Sequence, residues 1–166
     1  AWIGVEAAPG LLAEVSGSFP VLLAGSGLVE YSRLTPEVRD KLVETIEAVA
    51  PRFDHVLLDT GAGISDVVLY TVSLADAVLM VATPEPTSMT DAYATIKVLA
   101  STQRRRTIQL VVNQKMPGSD GRAVRAQLQQ VIDRYVSPGL EAPVTLELVG
   151  EVPTDAAVRD AVRLRQ

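Results

Sequence analysis

At 166 residues, 48% hydrophobic but only 4% aromatic, the chain is long enough to bury roughly 70% of its unfolded surface in one core of Val, Leu, Ile and Ala, the make-up of parallel strands covered by helices on both faces. A formal charge of -5 argues against a general nucleic-acid surface, which needs clustered Lys and Arg. Zero cysteines exclude disulfides, thiolate catalysis and Cys-ligated zinc or iron-sulfur sites, and a single histidine argues against a His-based metal site or a Ser-His-Asp triad.

In chain order, residues 1–19 are expected to form a lead-in with a short helical stretch near Leu11 to Val15, Trp2 serving as an apolar anchor. No charged-then-apolar leader opens the chain, and no run approaches the roughly 18 apolar residues of a membrane span. The expectation is therefore a soluble cytoplasmic protein, and the start at Ala1 rather than Met fits processing or truncation. Pro20 to Ala24 reads as a buried strand ending at Gly25-Ser26-Gly27. Those glycines are read as a structural turn, because the G-x-x-x-x-G-K-[ST] spacing of a phosphate loop is absent.

Thr35-Pro36-Glu37 starts a helix with a hydroxyl cap, proline at the first helical position and an acid in the first turn. Leu42, Val43, Ile46 and Val49 recur at helical spacing, so a covering helix runs to about Ala50, where Pro51 closes it. Residues 54–59 are expected to be the central strand. They end at Asp59 and run into Thr60-Gly61-Ala62-Gly63, a pattern that fits a Walker B strand entering a glycine switch. Asp59 would reach magnesium through water, and Gly61 and Gly63 would let backbone N–H groups approach a phosphate.

Ser65-Asp66 caps a helix through about Leu74, and a strand at 77–83 follows. A helix from Ser88 to Ala100 turns Ala92, Ile96 and Leu99 inward, and Arg104-Arg105-Arg106 behind it reads as cations at a helix C-terminus. Thr107 to Asn113 is a further strand, Arg122 to Tyr135 a helix, Val144 to Val149 a last strand, and Thr154 or Asp155 caps the final helix. This alternation predicts an α/β fold, a doubly wound and mainly parallel sheet with helices on both faces. The turns after Asp59, Thr83, Asn113 and Val152 would then share one edge. Asn113 carries an amide that donates and accepts, as a purine edge requires, or that satisfies its own turn. Glu85 and Asp91 are read as a solvated rim.

Phe53 to Asp66, Thr83-Pro-Glu-Pro-Thr-Ser-Met-Thr-Asp91 with Ala92-Tyr-Ala94, and Val111-Val-Asn-Gln114 together resemble the flagellar-number regulators of the FlhG (FleN, YlxH) type, members of the MinD/ParA ATPases. The resemblance spans residues 20–166, the nucleotide-hydrolase domain, with its P-loop portion missing. It implies ATP or ADP with Mg, Asp59 as the magnesium-associated acid, Gly61, Ala62 and Gly63 as the switch near the γ-phosphate, Asn113 as the reader of adenine, and Pro153 and Thr154 as the loop over the base. It further implies an ATP-dependent homodimer, flagellar assembly or regulatory proteins as partners, no direct nucleic acid, and a parent protein attached peripherally to the inner membrane through a helix absent here. The family's Walker A loop, phosphate-contacting lysines and first acidic strand have no counterpart, and the region before Pro20 is too short for them. Weak ATP binding without turnover is thus expected. The alternative is a non-hydrolytic protein-interaction module derived from the same fold; a receiver-type domain would need an early acidic pair that is missing.

Overall fold

The computed structural model describes residues 12–15, 19–22, 35–118 and 120–164, which fall in two compact units, Ala1–Asp59 and Thr60–Gln166. In the first, β1 (Leu12–Val15) and β2 (Phe19–Leu22) pair antiparallel, Leu12 opposite Leu22 and Val15 opposite Phe19. The helical stretch expected near Val15 is therefore a strand: so short a segment cannot repay helix nucleation, whereas pairing satisfies its backbone groups at once. Trp2 and the Gly25-Ser26-Gly27 turn lie outside the described residues.

The first helix, α1 (Pro36–Val49), starts where its sequence predicts. Thr35 Oγ1 accepts the Val38 N–H at 3.4 Å, and Pro36 follows as the first helical residue. The Thr35 hydroxyl and a backbone hydrogen bond hold the Glu37 carboxyl below its ordinary pKa, against a small opposing effect of desolvation. A 3-10 turn over Ala50–Arg52 contains Pro51 and ends the helical segment.

Residues 54–59 belong to no strand, which corrects the expected central strand. Leu57 is 87% exposed and Val56 40%. A parallel strand draws its stability from ladder partners at its edges and cover on its faces. Neither β1 nor β2 pairs with this segment, so a short apolar run alone does not form the strand.

The second unit is built on three parallel strands in the order β3 (Leu79–Ala82), β4 (Thr107–Lys115), β5 (Thr145–Pro153). Before them comes α2 (Asp66–Ser73), whose cap Ser65 Oγ accepts the Val68 N–H. Between them run α3 (Pro86–Thr102) and α4 (Gly121–Tyr135), and α5 (Ala156–Leu164) follows. This is the α/β, parallel, helix-flanked architecture of the doubly wound class. Ile108, Leu110 and Val112 of β4 and Leu146 of β5 are buried in one cluster with Ala92, Ile96 and Leu99 of α3 and Leu128 and Ile132 of α4. The alternate positions Leu79, Val81 and Val149 are about half exposed.

Two devices finish this unit. Arg105 donates from its guanidinium to the carbonyls of Val72, Ala75 and Asp76, and Arg106 to that of Ala100 at 2.6 Å. Arg105 and Arg106 of the basic run thus serve helix ends, Arg105 closing the neighbouring helix α2 rather than its own. Gln129 of α4 donates to the Val144 carbonyl at 2.7 Å and accepts the Leu146 N–H at 2.8 Å, while Arg125 Nε donates to the Leu146 carbonyl. Those side chains satisfy backbone groups that an edge strand otherwise leaves open.

Candidate functional site

Parallel pairing carries the ends of β3, β4 and β5 to one edge, shared by three segments: the turn Thr83 to Ser88, Asn113 to Pro117 and Val152 to Asp155. Asn113 and Val152 lie inside β4 and β5, which run on to Lys115 and Pro153, past the ends expected at Asn113 and Val149. At the first, the Thr83 N–H donates to Ser88 Oγ at 2.9 Å, and Pro86 opens α3. The helix expected from Ser88 thus starts two residues earlier, with Glu85 at the cap position and no side-chain cap; proline supplies the start, while the Thr83 and Ser88 hydroxyls accept backbone N–H groups of the turn itself. A depression of about 380 Å³ lies beside it, lined by Pro86, Thr87, Thr90 and Asp91; none of the sequence-predicted site residues lines it.

The second and third segments are joined. Val112 stands opposite Glu151 but Lys115 opposite Pro153, so β4 spends one residue more than β5 and bulges at Asn113-Gln114. Gln114 takes a left-handed conformation, φ 54, which is uncommon for a residue with a long side chain. Asn113 Oδ1 accepts the Gln114 N–H at 2.8 Å, so its oxygen is partly committed to its own turn. The Thr154 N–H donates to the Lys115 carbonyl at 3.0 Å, and Thr154 Oγ1 lies 3.8 Å from Met116 Sδ. Pro153 and Thr154 therefore meet β4 at Lys115, two residues beyond Asn113. Glu151 Oε2 lies 3.3 Å from Lys115 Nζ, and Glu151 Oε1 accepts the Gly121 N–H at 3.1 Å, at the start of α4.

Asp59, exposed, is the last residue of the first unit, and Gly61, Ala62 and Gly63 form an exposed bend at the beginning of the second. Gly63 has φ 97, a conformation that favours glycine, and a Cβ at Gly61 or Gly63 would meet nothing within 4 Å. Among the described residues no group of three His, Cys, Asp or Glu side chains is placed to hold a metal. Magnesium takes one or two carboxylates together with substrate phosphates. Asp59 supplies a single carboxylate, which suits magnesium only in company with a phosphate.

The bulge and the Glu151 contacts were not anticipated from sequence. A positive φ at Gln114 has no local signature, and Lys115 and Glu151 are too far apart in the chain for their spacing to reveal a pair. Among the described residues no helix is long and apolar enough to cross a membrane.

No family model matches the chain. It is 34% identical over 147 residues to the antiactivator FleN of Pseudomonas aeruginosa, an alignment covering 89% of this chain and 50% of that protein. It is 29% identical over 130 residues to the flagellum site-determining protein YlxH of Helicobacter pylori, covering 78% and 42%. With an uncharacterized ATP-binding protein of Methanocaldococcus jannaschii it shares 33% identity over 143 residues, covering 85% and 47%. The chain spans about half the length of the curated relatives it matches.

Proposed function

The chain belongs to the MinD/ParA family, in the group of FlhG/FleN and YlxH, and from that premise we propose that it is the base-binding portion of an ATP-dependent dimeric switch governing flagellar number or placement. Asn113 reads the adenine edge, with Pro153 and Thr154 closing over the base. Asp59, through water and magnesium, and the Gly61 to Gly63 backbone serve the phosphate end. Flagellar assembly or regulatory proteins read the state of the dimer. The observation that carries this reading is the hydrogen bond from the Thr154 N–H to the Lys115 carbonyl, which ties the end of β5 to β4 two residues beyond Asn113.

The chain's own residues bind and orient rather than catalyse. A bound triphosphate would bring the scissile phosphoanhydride, and Asp59 would hold, through water, the magnesium ion that offsets the phosphate charge. None of the 166 residues forms a G-x-x-x-x-G-K-[ST] stretch. Hydrogen bonds to charged groups contribute about 1.5–3 kcal/mol each, and about 1.4 kcal/mol is tenfold in affinity. A chain without that lysine and its neighbouring donors accordingly binds ATP several powers of ten more weakly than a complete site and does not turn it over. Calorimetry with magnesium and ATP tests this: micromolar affinity or phosphate release by this chain contradicts it. A non-hydrolytic interaction role is favoured by one observation, the half-exposed Leu79, Val81 and Val149. It predicts partner binding that ignores added ATP.

A further inference from the structure

Glu151 is not among the residues assigned to the base, yet the interactions of the carboxyl edge converge on it. Its two oxygens meet different elements: Oε1 takes the Gly121 N–H of α4, and Oε2 lies beside Lys115 Nζ of β4. The Lys115 and Glu151 side chains are each only 28% exposed, which limits screening of the pair by salt. Lys115 in turn gives its carbonyl to Thr154. In the ladder Glu151 stands opposite Val112, but its carboxylate reaches Lys115, three residues further on. It therefore spans the bulge that holds Asn113 and the left-handed Gln114. A non-glycine residue keeps such a conformation only where its surroundings hold it there.

We infer that Glu151 is a positioning residue for base recognition: by tying Lys115 to the start of α4 it holds the Asn113-Gln114 bulge and so sets the direction of the Asn113 amide. The inference rests on the base-binding reading above. An amide of fixed direction, donating from nitrogen and accepting on oxygen, matches the N7 acceptor and N6 donor of adenine and mismatches the paired acceptors O6 and N7 of guanine. Released from the clamp, the amide no longer holds both bonds to adenine and meets either base with a single hydrogen bond from its nitrogen. Loss of Glu151 therefore removes discrimination between bases before it removes binding.

The test titrates AMP and GMP separately into the isotope-labelled chain, following the Asn113 side-chain amide and the Gln114 and Thr154 N–H signals. The unsubstituted chain is expected to prefer AMP. Glu151→Ala is expected to cut that preference by about fivefold or more, and Glu151→Gln, which keeps an acceptor for Gly121, by less. Adding Gln114→Gly to Glu151→Ala restores part of the preference, because glycine takes a positive φ without strain. A preference unchanged in Glu151→Ala overturns the inference. So does a preference lost in step with general loss of signal dispersion and not recovered by Gln114→Gly, which makes Glu151 a folding residue only. If AMP moves none of these signals in the unsubstituted chain, the base-binding reading itself fails and takes the inference with it.

Discussion

Replacing Arg105 by alanine removes a guanidinium that donates to the carbonyls of Val72 at 3.1 Å, Ala75, and Asp76 at 3.0 Å. Each hydrogen bond from a charged donor contributes about 1.5–3 kcal/mol, so three set an upper bound of about 9 kcal/mol. Two effects reduce it. Arg105 is only part-buried, so water reaches the abandoned carbonyls, and the Val72 carbonyl keeps the Ala75 N–H at 3.2 Å. The expected loss is about 2–4 kcal/mol, a large share of the roughly 5–15 kcal/mol that holds a domain folded. Urea unfolding followed by circular dichroism measures it, and amide exchange places the loosening in α2. Arg105→Lys keeps the charge but not the planar fork, and recovers less than half of the loss. A loss below about 0.5 kcal/mol would refute the hydrogen-bond account; a lysine variant as stable as the original would reassign the effect to charge alone.

Other expectations concern the core, the clamp and the first helix. Ile96 is fully buried among Leu99, Ile108 and Leu128, so Ile96→Ala costs about 2–5 kcal/mol in the same unfolding assay. A Cβ at Gly121 would lie 2.7 Å from Glu151 Oε1 and 2.8 Å from both its Cδ and its Cγ. Gly121→Ala therefore forces the whole Glu151 side chain into another rotamer, at a cost of about 1–3 kcal/mol, and weakens base discrimination as Glu151→Ala does. Thr35→Ala removes the α1 cap at a cost of about 1 kcal/mol and returns the Glu37 titration, followed by carbon NMR, toward its ordinary value of 4.5. Folding lowers that pKa, so the Glu37 contribution is fully present above the ordinary value and is lost as pH falls through the folded one.

Features written locally were legible in the sequence. Thr35 and Ser65 start helices through bonds made within a few residues, Pro86 opens α3 by its fixed backbone angle, and Ile108, Leu110 and Val112 alternate as a strand with one face buried requires. Features that depend on a distant partner were not. Residues 54–59 have the composition of a strand but no ladder, and Leu12 to Val15 found one in β2 that no helical propensity could anticipate. At the candidate site, the placing of Asn113 and Thr154 at one sheet edge follows from parallel strand order. The extra residue at Gln114 and the contacts of Glu151 arise from how β5 and α4 happen to meet.

Where ATP touches the chain is the measurement closest to the central claim. Titrating magnesium and ATP to millimolar concentration into the labelled chain is predicted to shift the signals of Asn113, Gln114 and Thr154 together and saturably, while Tyr135 at the far end of α4 stays unmoved. Shifts confined to the Pro86 to Asp91 depression, or none at the ends of β4 and β5, would contradict a nucleotide site at that edge.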